Sequence, residues 1–525
     1  MISPSVQTTE ILNPKQHYFP GISQEIALFV GCFERGPINV PLYITNVDEF
    51  KFLFGRGINE YRNDWYQVYN FLQYSSGIYV VRSAGSINYN ANSTGDNITI
   101  TRYSNWIEQK DTFSTTEIKF IARTPGEWGN DLRIGIVSKT QYDAKTTIFA
   151  NKKTNEVFDF FEDEYYGICI FKNNELVETF YKKESEIVNL NEESKYIYVV
   201  LGTTITLKYG ENIINLSNGY NSEPSLADFD ESYSLFENEL IYNIDIIIGN
   251  ERYNESAIKL AEKRQDCIAF IGLPRTERSL LVVPFNNQDY FLTDEAGSEI
   301  IVTSEIVSNK LTDKNLNKIN EYLDTIPNSE YVHFSIDIKN QFDFFTNKIQ
   351  SVNIAGDIAG LKAQASKEFP WIPSAGLERG KIKNLDSTLF KLSKKQKDDF
   401  YKIGLNFIEN GYTITQKTFQ KNKNKYNNIH IRSLVNHLKK EIKFLLRNFL
   451  FLENTLSLRK KIAGSLVLYL KQIKINKGIT SGKIIVESVN NNIVVQIILT
   501  PNNVSEKIIL KMTNVGDNEF ETVLI

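Results

Sequence analysis

The stretch Phe369-Pro370-Trp371-Ile372-Pro373-Ser374-Ala375-Gly376-Leu377-Glu378-Arg379-Gly380-Lys381-Ile382 carries two prolines, two glycines and a tryptophan, with neither a helical nor a strand period. Proline fixes φ and glycine frees it, so the run dictates a loop of one defined shape. A second loop of the same character, Thr124-Pro125-Gly126-Glu127-Trp128-Gly129-Asn130-Asp131, stands directly ahead of the strand-like Leu132-Arg133-Ile134-Gly135-Ile136.

Outward from these loops, the chain alternates strands with helices. Ile26 to Gly31 reads as a buried strand and Ile78 to Arg82 as another, with helices between them from Asn46 to about Phe54 and from about Asn63 to Tyr74. Ile244 to Ile248, a helix from Glu255 to Gln265, and the doubly apolar Cys267 to Pro274 give strand–helix–strand spacing. That spacing argues for parallel pairing with right-handed crossovers. A further helix (about Asp313 to Leu323) and strand (Tyr331 to Ile336) add a unit. Ile354 to Ser366 is a Gly/Ala-rich helix whose small side chains permit close packing.

Between Ser86 and about Asn221, apolar and polar residues alternate between turn residues, the pattern of a mainly antiparallel β domain inserted into the α/β body. After a short helix at Ser393 to Phe400, long helices at about Asn428 to Phe449 and Thr455 to Ile473 precede three alternating strands, Gly482 to Val489, Ile493 to Leu499 and Lys507 to Met512. The proline-bearing first twenty residues and Thr513 to Ile525 read as extended arms. The predicted class is a multidomain α/β and α+β chain. Its segments are an N-terminal arm (1–20), an α/β domain in two parts (21–85 and 222–390), an inserted outer β domain (86–221), a C-terminal helix-pair and β-sheet domain (391–512), and a C-terminal arm (513–525).

At 525 residues, 42% hydrophobic and 23% charged, the chain has the composition to bury several cores. Its three cysteines, Cys32, Cys169 and Cys267, are far apart and form no C-x-x-C pair, which argues against a disulfide framework or zinc site. The start Met1-Ile2-Ser3-Pro4 lacks a signal-peptide pattern, and no apolar run approaches the roughly 18 residues of a membrane helix. Membrane insertion is therefore not expected. The net charge of −4 is unevenly spread: Thr415 to Lys461 holds twelve Lys/Arg against Glu441 and Glu453 alone. A basic surface on an acidic body suggests an anionic partner.

Catalytic patterns are missing. The four histidines include His430 and His437, seven apart on one helix, with no third ligand at metal spacing. Gly478-Ile479-Thr480-Ser481-Gly482-Lys483 superficially matches a phosphate loop but has too few residues between its glycines and leads into a strand, so a hairpin turn is expected there. Neither a G-x-S-x-G elbow nor a dinucleotide fingerprint occurs. No catalytic, cofactor-binding or metal residues are assigned.

In order along the chain, short motifs resemble those of contractile tail sheath proteins, which form the shortening sleeve around phage tail tubes. They are Ser3-Pro4-Ser5-Val6; Glu25 to Gly31; Arg35 to Pro41 with Phe50 and Phe54-Gly55; Tyr79-Val80-Val81-Arg82; and Ala122 to Ile136. Then follow Arg264 to Ala269 with Pro274; Ala359-Gly360, Ala363 and Pro370 to Ile382; and Ile429 to Leu434 through Glu453-Asn454 to Gly478. The loop residues that carry the likeness are Pro125, Gly126, Trp128, Gly129, Asn130, Pro370, Trp371, Pro373, Gly376, Arg379 and Gly380. The aspartate that usually precedes the proline found here as Pro274 is replaced by Leu273 or Gly272, and residues 138–216 show no match.

The resemblance implies a structural, non-enzymatic subunit with no cofactor. It would assemble as hexameric rings stacked into a helical sleeve, knitted by strand exchange of the arms. Its partners would be the tail tube, baseplate and tail terminator proteins, in the virion and, during assembly, in the host cytoplasm. Arg432, Lys439, Lys440, Lys443 and Arg447 are expected to face an acidic tube. Two other readings stay open: the sheath of a phage-derived bacterial injection device, and nucleic-acid binding through residues 415–461. Against the second, base-stacking aromatics are sparse in that window, and no direct nucleic-acid contact is expected. Trp106, Tyr142, Tyr165 and Tyr166 could stack on sugars, but core packing is the simpler role.

Overall fold

The structure, a computed structural model, describes residues 25–57, 61–113, 118–145, 147–149, 152–202, 213–273, 290–293, 299–302, 313–389, 391–420, 426–490 and 492–504. The predicted arms, the strand at 507–512, the turn at 210–212, His17 and Pro274 lie outside these residues. The described chain divides into two compact units, one ending at His437 and the other beginning at Leu438.

The first unit is built on seven strands: β1 (Ala27–Gly31), β2 (Leu42–Ile44), β3 (Ile78–Arg82), β4 (Ile246–Ile248), β5 (Ile268–Gly272), β6 (Val332–Ser335) and β7 (Leu405–Asn406). Their order is β2-β3-β1-β4-β5-β6-β7, with β2 antiparallel to β3 and every other pairing parallel. The period-two geometry of a strand sends neighbouring residues to opposite faces. Leu28, Val30, Ile247 and Ala269 enter one core, while Ala27, Phe29, Ile246 and Ile268 enter the other. Both faces are covered, which is why these strands read as unbroken apolar runs.

Helices α1 (Val47–Phe54), α2 (Arg62–Leu72), α3 (Leu226–Ser234), α4 (Asn254–Arg264), α5 (Asp313–Thr325) and α6 (Ala355–Ala365) supply the covers. Phe50, Phe54, Trp65, Phe71 and Ile358 close one face; Phe229, Tyr233, Ile258, Ile319 and Leu323 close the other. Local chemistry sets the start of α1. Asn46 Oδ1 accepts the Glu49 N–H at 2.9 Å, and Glu49 returns a carboxylate to the Thr45 N–H at 3.0 Å. The small residues of α6 allow close approach to α2: a Cβ on Gly356 would stand 2.3 Å from the Gln67 carbonyl oxygen. That contact is sealed by the Gln67 amide, which donates to Asn353 O at 2.9 Å and accepts from Gly356 N at 2.7 Å.

The chain leaves the body after β3 and returns before α3. Asn88–Tyr89 on the way out pairs antiparallel with Tyr220–Asn221 on the way back. Between them, Glu175–Lys183, Tyr165–Lys172, Leu132–Val137 and Ile214–Asn215 form a four-stranded antiparallel sheet, and Lys119–Ala122 pairs with Ile197–Val200. Phe120, Trp128, Leu132, Ile134, Ile168, Ile170, Ile197 and Val199 form its separate core. Trp106 is buried and stacked on Tyr198 at 4.4 Å, so its ring is spent on packing.

Helix α7 (Ile429–Arg447) begins in the first unit and ends in the second. The second unit adds α8 (Leu456–Ile475) and the hairpin Ile479–Val489 with Asn492–Pro501. The turn expected at Gly478–Lys483 falls instead near Asn490, whose φ of 49° suits the reversal, and Ile479 to Lys483 belongs to the strand itself.

Candidate functional site

Three sequence motifs meet at one side chain. Arg82, at the end of β3, is 1% exposed, and its Nη1 donates to Gly36 O at 2.8 Å and to Pro125 O at 3.0 Å. With the Asn221 amide oriented to satisfy its neighbours, its oxygen accepts from Arg82 Nη2 at 2.6 Å. One guanidinium thus fastens the Arg35-Gly36-Pro37 turn and the Pro125–Gly126 loop to the body sheet. Burial pulls Arg82 down to about 10 from the usual arginine value.

The second motif loop is anchored in depth. Trp128 is buried, and its Nε1 donates to Thr124 O at 3.2 Å. The Arg35 guanidinium lies 5.6 Å from the Trp128 ring and 5.0 Å from that of Tyr196. Asn130 exchanges both amide bonds with Gly219, at 3.0 and 2.7 Å. Next to this joint the buried Glu34 carboxylate accepts from Arg56 N at 2.8 Å and from Lys172 Nζ at 3.3 Å. Burial alone would raise Glu34, but Lys172 and Arg56 outweigh it and hold the carboxyl below its ordinary value. Lys172 lies on the antiparallel sheet between residues 88 and 221 and Glu34 just after β1, so a largely shielded ion pair joins the two.

The Phe369–Ile382 loop is a rigid platform. Trp371 is buried, stacked on Phe369 at 5.1 Å and set against His437 at 5.8 Å. Gly376 N donates to Thr413 O at 2.8 Å, Gly380 N to Gly376 O at 2.7 Å, Thr413 N to Gly380 O at 2.8 Å and Ile382 N to Gly411 O at 2.9 Å. Pro370 O accepts from Lys362 Nζ at 3.0 Å, and Pro373 lies half-buried beside it. At the tip, Leu377 is 78% exposed and Arg379 pairs with its neighbour Glu378 at 2.9 Å. A Cβ on Gly380 would stand 2.4 Å from Thr413 O. Gly380→Ala should therefore cost about 1–3 kcal/mol, read as a lowered urea midpoint; an unchanged midpoint would mean the loop yields without loss.

The basic residues of α7 divide. Arg432 is fully buried: its Nη1 reaches Glu330 at 2.7 Å, its Nε bonds Asn436 at 3.0 Å, and its guanidinium stacks 4.8 Å from the Tyr331 ring. It is an internal cation, not a surface one. Lys439 is buried as well, Lys440 and Lys443 are half-buried, and Arg447 is exposed. His430 is buried beside Gln416. In the second unit, Phe444, Phe451, Leu452, Leu456, Leu468 and Ile475 are exposed large apolar residues. Each hairpin strand pairs only with the other among the described residues, which leaves two open edges.

Among the described residues, no group of His, Cys, Asp and Glu is placed to hold a metal ion, and no helix is long and apolar enough to cross a membrane. Sequence reasoning missed the deeply buried charges, Lys339 with Asp357 at 2.9 Å and Lys362 with Glu25 at 2.7 Å. Nothing local in the sequence marks either pair.

No family model matches the chain. It is 23% identical over 411 residues to the Tail sheath protein of Enterobacteria phage T4, a match covering 71% of this chain and 59% of that protein. It is 25% identical over 279 residues to the Tail sheath protein of Vibrio phage KVP40, covering 49% and 38%. The matches thus span less than two thirds of the length of either curated relative. Among solved structures, the sheath tail protein from Listeria innocua superposes with a TM-score of 0.56 at 11% identity, covering 94% of this chain and 95% of that one. The sheath tail protein from Desulfitobacterium hafniense gives 0.57 at 9% identity, covering 94% and 100%. The curated relatives are tail sheath proteins and the fold is that of sheath tail proteins, so the resemblance read from the short motifs is borne out.

Proposed function

We propose that the chain is the structural subunit of a contractile tail sheath, which polymerises as stacked hexameric rings around a tail tube and shortens to drive that tube through a target envelope. The observation that carries this reading is a sheath tail fold extending over 94% of the chain, joined to sequence relatives of the same description. Its partners would be further copies of itself, the tube, the baseplate and the tail terminator, in the virion and, while it is assembled, in the host cytoplasm.

The physics of such a device needs rigid bodies, strong joints between copies and two lattice states. The buried Arg82 and Glu34 contacts make the body and its inserted domain move together. The open hairpin edges are acceptors to which the arms of neighbouring copies (residues 1–20 and 513–525) can add strands, main-chain hydrogen bonds giving affinity. Contraction is then a switch from a metastable extended lattice to a compact one of lower energy, with no nucleotide consumed.

Lys440, Lys443 and Arg447 remain the proposed tube-facing set, without Arg432, whose charge is used internally, and without Lys439, which is buried. Exposed pairs contribute only about 0.2–1 kcal/mol each, enough in repeated rings to set register and still release together. Charge reversal at Lys440, Lys443 and Arg447 should reduce sheath polymerisation on purified tubes several-fold while leaving circular dichroism unchanged. Undiminished polymerisation would remove the tube-facing role. The broader proposal is tested by negative-stain microscopy of the expressed chain: hollow cylinders of uniform diameter are expected, and a concentrated preparation that stays monomeric, with or without tubes, would overturn it.

A further inference from the structure

We infer that the crevice at the ends of β1, β3 and β4 binds a free oxyanion of the phosphate class. In the seven-stranded sheet the chain first winds from β1 toward β3, then passes to β4 on the other side of β1. Strands that part in opposite directions leave a crevice outside their carboxyl ends, the usual ligand position in such sheets. Here the crevice is a cavity of about 60 Å³ lined by Cys32, Arg82, Ser83, Ser222, Glu223 and Arg252, among others.

Two of its side chains have unused capacity. Ser83 is 2% exposed, yet its Oγ has no hydrogen-bond partner among the described residues. Arg82 has five N–H donors; Gly36 O and Pro125 O take those of Nη1, and the Asn221 oxygen takes one from Nη2. The fork formed by Nε and the second Nη2 hydrogen remains, the geometry that accepts two oxygens of one anion. No carboxylate is ion-paired with Arg82 among the described residues: its direct contacts are neutral carbonyl and amide oxygens, and the Glu34 carboxylate acts on it only from a distance. A buried charge without a countercharge is costly, and a bound anion supplies one.

The acidic groups nearby are otherwise engaged, Glu34 by Arg56 and Lys172. Asp64 accepts the Cys32 N–H at 2.7 Å, and Glu223, with its side chain 83% exposed, pairs with Arg252 at 3.4 Å. The cavity is far below the roughly 300 Å³ at which drug-sized ligand pockets begin, which excludes a nucleotide and leaves phosphate or sulfate.

The test reads phosphate binding to a single chain, so its outcome does not depend on the sheath reading. Inorganic phosphate is titrated calorimetrically into the full chain at fixed ionic strength in chloride buffer, with AMP as a size control. One saturable site per chain is expected, about tenfold weaker or worse in Ser83→Ala. That variant should fold normally, since the hydroxyl it removes has no partner and the Ser83 N–H still donates to Gly31 O at 2.9 Å. Absence of saturable heat, equal affinity in Ser83→Ala, or AMP binding as tightly as phosphate would each overturn the proposal.

Discussion

A chain lacking residues 1–19 should fold, with the far-ultraviolet circular dichroism expected for its remaining residues, and should sediment as a monomer at concentrations where the full chain forms cylinders. The removed segment, with Pro4 and Pro14, is poor material for a packed element of its own. Its proposed use is as a strand added to an edge of another copy. The hairpin Ile479–Val489 with Asn492–Pro501 offers such edges on strands of 11 and 10 residues, long enough for several main-chain bonds per junction. Each net bond contributes only about 0.5–1.5 kcal/mol, but every subunit in a ring needs its junction, so loss of the arm is amplified around the ring. Cylinders of normal length from the truncated chain would show that the copies are held by something else.

The second large effect is expected inside one subunit. Lys362 Nζ lies 2.7 and 2.9 Å from the Glu25 carboxylate and 3.0 Å from Pro370 O, and it also bonds Ser366 Oγ. Both charged groups are buried. Burial raises the Glu25 carboxyl, and Lys362 only partly opposes it. Lys362→Met would strand that carboxyl, and removing one partner of a buried pair costs about 3–5 kcal/mol.

The loss should appear in urea unfolding of the unit ending at His437. Glu25→Gln combined with Lys362→Met should recover most of it, because the stranded charge is gone. The sign with pH follows. A carboxyl whose folded value is raised favours the folded state while protonated, so Lys362→Met should gain stability as pH falls toward the ordinary carboxylate range and lose it as pH rises. A variant within about 1 kcal/mol of the parent at neutral pH would show that water reaches the pair.

What could be read in the chain, and what could not, divides by the range of the interaction. β1, β3, β4 and β5 were legible because a strand covered on both faces must be apolar throughout. The two loops were legible because Pro370, Pro373, Gly376 and Gly380 constrain their own backbone. The hairpin Ile338–Asp343 with Lys348–Asn353 was not read. Its Lys339, Asn340, Gln341 and Asp343 are polar yet buried, satisfied by residues such as Asn70 and Tyr66 more than 250 positions away. Arg432 was grouped with its basic neighbours for the same reason: Glu330, which neutralises it, is 102 positions upstream. The meeting of Gly36, Arg82 and Pro125 was visible only as three separate motifs, since no period or spacing announces a hydrogen bond between them.

The short pairing of Asn88–Tyr89 with Tyr220–Asn221 has a consequence of its own. A segment whose two ends are zipped together imposes almost no geometric demand on its host, whatever its length. The parts of it that do not touch the host can be shortened, enlarged or exchanged while the host keeps its own register. A lineage under pressure to vary its outer coat could rewrite those parts, provided Pro125, Trp128 and Lys172 stay in place on Arg82, Arg35 and Glu34.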